Sequence, residues 1–148
     1  MGARLRGLRA AFEGGTGPFP RYKVKRAEAI YRELLGSAKP SKLLHGDFHH
    51  WNLLSAERGW LAIDPKGLVG EPEYELYAWL RNVLPPNSSL DQLKAYTSRR
   101  IDQFGEMLGF DRQRIRQWGF AQALLSSWWS FEDHHPDWSD TLHIAELF

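Results

Sequence analysis

The stretch Leu44-His45-Gly46-Asp47-Phe48-His49-His50-Trp51-Asn52-Leu53-Leu54 gathers much of the chain's reactive chemistry. His45, His49, His50, Asp47 and Asn52 all fall within positions 45–52, between short apolar runs. Side chains of these types can ligate a metal, move a proton, or satisfy one another in a polar turn. His45 and His49 are four apart, as two zinc ligands on one helix face would be. Gly46 and the strand-like flanks oppose a helix there, however, and the Glu of a His-Glu-x-x-His motif is missing. The run Trp60-Leu61-Ala62-Ile63-Asp64-Pro65-Lys66-Gly67 favours another chemistry, because it reads as a strand ending in an acid. If Asn52–Ser55 and Trp60–Ile63 form a hairpin about Ala56-Glu57-Arg58-Gly59, Asn52 and Asp64 meet at one end, with Asp47 on the loop before them. Phosphoryl transfer needs this set. One carboxylate receives or orients a hydroxyl proton, while an amide oxygen and a second carboxylate hold Mg²⁺ against nucleotide phosphates. Hard Mg²⁺ takes oxygen ligands, so Asn and Asp suit it and the imidazoles do not.

The elements that must position these residues are mostly helical. Periodicity predicts helices over 3–13 and 22–37, the second with Ala27, Ile30, Tyr31, Leu34 and Leu35 on one face. Gly14-Gly15-Thr16-Gly17-Pro18 separates them. It follows no β-rich run and precedes no Gly-Lys-Ser/Thr, so it reads as a breaker and not as a phosphate loop. Lys42–Leu44 is a short apolar run leading into the His-Gly-Asp turn. Further helices are expected near 73–84, 89–108, 111–133 and 138–147. Pro85-Pro86-Asn87 breaks the first pair, Ser89 with Gln92 opens the next, Gly109 ends it, and Asp111 caps its successor. The expected class is mainly α with a small β-hairpin insert, in a single domain over 1–148.

Composition narrows the function classes. The chain has 148 residues, 43% hydrophobic and 25% charged, which is ordinary for a globular protein. A formal net charge of +1 gives no electrostatic case for a nucleic-acid or membrane partner. Arg112, Arg114 and Arg116 alternate along a helix and spread over several of its faces, so they make no nucleic-acid stripe. With no Cys, disulfides and thiolate zinc sites are excluded, and a cytoplasmic location is expected. No apolar run approaches a membrane span, and the N-terminus carries neither a signal-peptide core nor a myristoylation signal.

His45-Gly46-Asp47-x-x-x-x-Asn52 followed by Ile63-Asp64-Pro65 resembles the catalytic loop and metal motif of the aminoglycoside phosphotransferases, which have a protein-kinase-like fold. LLHGDFHHWNLL, GWLAIDPKGLVGEPEYEL and the later WGFAQALLSSWWSFED are similar to the streptomycin 6-kinase branch, the aminoglycoside/hydroxyurea antibiotic resistance kinases. The resemblance covers roughly residues 20–148. It implies ATP as phosphoryl donor, Mg²⁺ as cofactor, and a small-molecule hydroxyl acceptor such as an aminoglycoside or hydroxyurea. Position by position, it implies that Asp47 is the catalytic base and that Asn52 and Asp64 are the Mg²⁺ ligands. It makes His45 structural. His49 and His50 match the family's His pair, with nucleotide or substrate contact and loop packing both open. His50 is carried as a cofactor-binding candidate. Lys66, which follows the metal Asp, either neutralises phosphate or forms a salt bridge. Glu75 is expected to brace the loop from a helix start. Glu132 and Asp133 are the candidate substrate-binding acids, since acids at a helix C-terminus oppose its macrodipole and a cationic acceptor would compensate them.

The same resemblance implies a second, N-terminal β-rich lobe with a phosphate-covering loop and a Lys, and no segment here matches either. The chain is therefore expected to be a C-terminal lobe, inactive alone, whose interlobe surface a homodimer partner or a separate N-lobe would cover. The competing class is a non-catalytic remnant acting as an interaction module. Seven Trp and eight Phe give 14% aromatic content. Trp118, Phe120, Trp128, Trp129 and Phe131 fit either core packing or an exposed patch.

Overall fold

The structure is a computed structural model that describes residues 2–148, with side chains described from Arg6 onward. The helices are α1 (Gly2–Ala11), α2 (Arg21–Gly36), α3 (Pro72–Arg81), α4 (Leu90–Leu108), α5 (Arg112–Glu132) and α6 (Trp138–His143). Four short strands lie between α2 and α3: β1 (Lys42–Leu44), β2 (Leu53–Ala56), β3 (Gly59–Ala62) and β4 (Leu68–Gly70). The chain is thus mainly helical with a small β region, as expected. It groups into two compact units. One comprises the residues up to Ser37 together with Gln117–Phe148, the other Ala38–Arg116, and the boundary falls inside α5.

The first unit is built on apolar helix faces. Val24, Ala27, Ile30, Tyr31 and Leu34 are buried along α2, whereas Leu35, expected on the same face, is exposed. Tyr31 packs edge-on against Trp118, and its hydroxyl donates to Ala121 O at 3.3 Å. A second cluster joins Phe12, Phe19, Trp128, Phe131 and Trp138, with Phe19 and Trp138 ring centroids 5.0 Å apart. Trp118, Phe120 and Trp128 are buried and Trp129 and Phe131 half-buried, so core packing accounts for the first three. Each such ring contributes on the order of 1.5–3 kcal/mol by leaving water. Arg9 ties α1 to α2 through Glu28 at 2.7 Å.

The second unit carries the strands. β2 and β3 pair antiparallel with Leu53 opposite Ala62 and Ala56 opposite Gly59, close to the expected hairpin. β1 and β4 form a second ladder, with Lys42 opposite Gly70 and Leu44 opposite Leu68. That ladder was not anticipated, because three-residue strands are too short to show a period of two. α3 starts on Pro72, whose fixed φ and missing N–H suit a first turn. It stops at Arg81, three residues before the expected end, and Val83 beyond it has φ +57°. Ser89 and Gln92 form the expected capping box on α4, and Gly109 closes it in the left-handed region. Asp111 Oδ1 accepts from Arg114 N at 3.1 Å at the start of α5. Glu71, just before α3, is buried and takes both an Arg114 fork at 2.5 Å and Lys39 N at 2.7 Å. Removing one partner of such a pair leaves a buried charge, so this contact fixes where α3 begins.

Candidate active site

The His-Gly-Asp turn leaves β1 and is held by bonds that only this local sequence can supply. Gly46 has φ +85°, and a Cβ there would lie 2.9 Å from Leu68 Cδ1 and 3.2 Å from Lys66 Cβ. Conformation and space thus both require glycine. The Glu75 carboxylate, in the first turn of α3, accepts His45 N at 2.6 Å and Gly46 N at 2.8 Å. His45 O accepts Lys66 N at 2.7 Å and Gly67 N at 3.2 Å, which joins the turn to the segment after Asp64. The His45 ring bridges the same two segments. Its Nδ1 accepts from Asp47 N at 3.3 Å, leaving Nε2 to donate to Ile63 O at 2.8 Å. Both ring nitrogens are thereby committed to holding backbone.

Asn52 ends a single 3₁₀ turn over His50–Asn52 and is buried. Its Nδ2 donates to Asp47 O at 2.9 Å and lies 3.4 Å from His49 Nε2. Its carbonyl accepts Ile63 N at 3.0 Å, so the next residue, Asp64, comes to the Asn52 end of the hairpin. Asp64 is exposed and has φ +57°, a conformation that Asp tolerates better than most residues. The Asn52 amide nitrogen is engaged, so its oxygen and the Asp64 carboxylate are the oxygen donors this end of the hairpin could offer. Such a pair fits Mg²⁺, which takes one or two protein ligands and completes its octahedron with phosphates and water. Among the described residues no group of three or more His, Cys, Asp or Glu is arranged to hold a metal.

Comparison with known proteins identifies the family. A model of the aminoglycoside/hydroxyurea antibiotic resistance kinase family matches residues 7–134. The chain belongs to that family. It is 32% identical to streptomycin 6-kinase of Streptomyces griseus over 133 residues, which is 89% of this chain and 43% of that protein. It is 34% identical to hydroxyurea phosphotransferase of Kitasatospora aureofaciens over 140 residues, 87% of this chain and 39% of the relative. It is also 34% identical to streptomycin 3''-kinase of Klebsiella pneumoniae over 110 residues, 72% of this chain and 41% of the relative. The chain thus spans less than half the length of these relatives. No solved structure matches it.

In this chain the Asp47 carboxylate pairs with Lys66 and has His49 nearby. Lys66 Nζ donates to Oδ2 at 2.8 Å, and His49 Nε2 lies 3.8 Å from Oδ1. Partial burial would raise the Asp47 pKa, but the Lys66 bond and charge, then His49 and Arg81, outweigh it and leave the carboxyl below its ordinary value. His50 stacks on Trp79 at 3.8 Å, and Phe48 stacks on the same indole at 5.6 Å. Burial, then the charges of Arg100 and His49, push the His50 pKa down and favour a neutral ring. The second unit therefore brings together His45, Asp47, His50, Asn52, Asp64, Lys66 and Glu75. Glu132 and Asp133 are exposed and belong to the first unit, at the end of α5. Sequence reasoning missed Trp79 and Arg81. The available signal was spacing: Trp79 stands four residues after Glu75 on α3, on the face that meets the loop.

Proposed function

We propose that this chain is the C-terminal lobe of a protein-kinase-like small-molecule phosphotransferase, which moves the γ-phosphoryl group of ATP to an acceptor hydroxyl. The observation that carries the reading is the hairpin end, where Asn52 and Asp64 adjoin the loop bearing Asp47. Asp47 takes or orients the hydroxyl proton. Asn52 and Asp64 would hold Mg²⁺, which when bound screens the charge of the phosphates. Lys66 stands where it can exchange Asp47 for a phosphate oxygen, and His50 borders the same loop. His45 and Glu75 keep the turn in shape. The acceptor is a small hydroxylated molecule, with an aminoglycoside the leading candidate and Glu132 and Asp133 its cation-binding acids. Membership of the antibiotic-kinase family supports donor and acceptor class.

Nucleotide clamping supplies much of such an enzyme's rate by positioning, about 7–11 kcal/mol of the barrier in well-oriented cases. The lobe alone is therefore expected to be inactive. The hairpin and the turn before it expose Trp51, Leu54, Trp60 and Leu61, an apolar surface that an N-lobe, or a second copy, would cover. The test is a chimera joining the N-terminal segment of streptomycin 6-kinase to this chain, assayed for ATP- and Mg²⁺-dependent phosphorylation of streptomycin and hydroxyurea. Activity in the chimera, its absence in the isolated chain, and a loss of about 10²–10⁴-fold in Asp47→Ala support the reading. Full activity of Asp47→Ala would refute the role of Asp47.

A further inference from the structure

Charged groups around the loop are not balanced within the second unit. Some guanidinium groups of the described chain bond neutral groups, Arg116 with Ser98 Oγ among them, but three have an acid: Arg9 has Glu28, Arg112 has Asp102, Arg114 has Glu71. Arg81, the last residue of α3, and Arg100 on α4 do not. The Arg81 guanidinium lies 5.5 Å from the Tyr77 ring centre, its Nε is buried without a hydrogen-bond partner, and among the described residues no carboxylate pairs with it. Arg100 donates to Tyr96 Oη at 3.1 Å and sits 5.9 Å from the centre of Trp79, the indole on which Phe48 and His50 of the loop stack. The charge of Arg81 reaches Asp47 and that of Arg100 reaches His50.

A guanidinium partly withdrawn from water without a carboxylate is costly to keep. Two of them bordering one catalytic loop suggest a ligand that brings the negative charge. Asp47 and Asp64 are not available to them, since the proposed reaction uses one as base and the other as metal ligand. Guanidinium forks match phosphate oxygens, and charge-assisted bonds of this kind are stronger than neutral ones. We propose that Arg81, assisted by Arg100, is the anion-gripping side of this site and holds the terminal phosphoryl oxygens of the nucleotide donor opposite the metal ligands. The inference rests on the phosphotransferase reading for the identity of the anion. The competing structural account is that Arg81 merely offsets the C-terminal dipole of α3 and stacks on Tyr77.

Binding to the 148-residue chain separates the two. Isothermal titration calorimetry follows the addition of sodium tripolyphosphate at constant ionic strength, with succinate as a carboxylate control. Saturable tripolyphosphate binding is expected, weakened about tenfold in Arg81→Met, less in Arg81→Lys, measurably in Arg100→Gln, and not in the surface control Arg112→Gln. Asp47→Asn, which removes a repelling charge, should tighten it, although the same change abolishes turnover in the chimera. Anion binding and catalysis thus fail separately. The melting temperature of Arg81→Met should match or exceed that of the parent, because an unsatisfied charge has been removed. No saturable binding, equal weakening by Arg81→Met and Arg112→Gln, preference for succinate, or a lower melting temperature with unchanged binding would each overturn the proposal.

Discussion

Lys66 and Asp47 meet at 2.8 Å, so a lysine ammonium occupies a carboxylate oxygen that the proposed reaction would offer to the acceptor hydroxyl. The contact is loosely held. The Lys66 side chain is 60% exposed, and pairs of that kind are worth little once water and salt screen them. Its main effect is on titration. The folded pKa of Asp47 lies below the unfolded one, so its ionisation stabilises the fold above the unfolded value, and that contribution is lost as pH falls through the folded value. Lys66→Gln in the chimera should move the acid limb of the kcat/KM profile upward, and an NMR titration of the Asp47 carboxyl should move with it. An acid limb that stays in place would mean that Lys66 does not set the ionisation of the base. Sequence reading put Asp47, Asn52 and Asp64 forward as candidates because the motif spacing joins them. It left Lys66 open between phosphate and salt bridge, since nothing in Ile63-Asp64-Pro65-Lys66 says which way a long flexible side chain turns.

At the scale of elements, the parts written in local chemistry were legible. The Ser89–Gln92 capping box, the Gly109 stop and the Asp111 cap stand where the sequence put them. The β2–β3 hairpin was readable from its turn and the apolar runs beside it. The β1–β4 ladder was not, because its pairing joins segments far apart in the chain and neither strand is long enough to alternate. Leu35 misled for a related reason: helical periodicity places it beside the apolar face, but only packing decides how wide that face is. The unread ladder bears on the turn, since β4 supplies the Leu68 side chain that a Cβ at Gly46 would meet. Gly46→Ala should therefore cost about 1–3 kcal/mol from backbone strain, beyond any steric term. Chemical denaturation would show this as a lower midpoint with an unchanged slope. A midpoint within error of the parent would show that the turn relaxes easily.

Across the whole molecule, the acids proposed for the acceptor and the loop proposed for the chemistry belong to different compact units, joined in sequence through α5. Their roles can be separated by kinetics. In the chimera, Glu132→Gln and Asp133→Asn should raise KM for a cationic acceptor several-fold and leave KM for ATP nearly unchanged, as loss of a uniform binding contact does. Unaltered acceptor kinetics would make both acids structural. No described helix is long and apolar enough to cross a membrane. The bonds from Glu75 to His45 and Gly46 have a further consequence. These two residues lie outside every helix and strand, yet a carboxylate holds each amide hydrogen. In deuterated solvent their amides should exchange as slowly as those of α3, and Glu75→Gln should release both together while leaving the α3 interior protected. The loop would then open as one body hinged on a single side chain, on a timescale that exchange rates read directly.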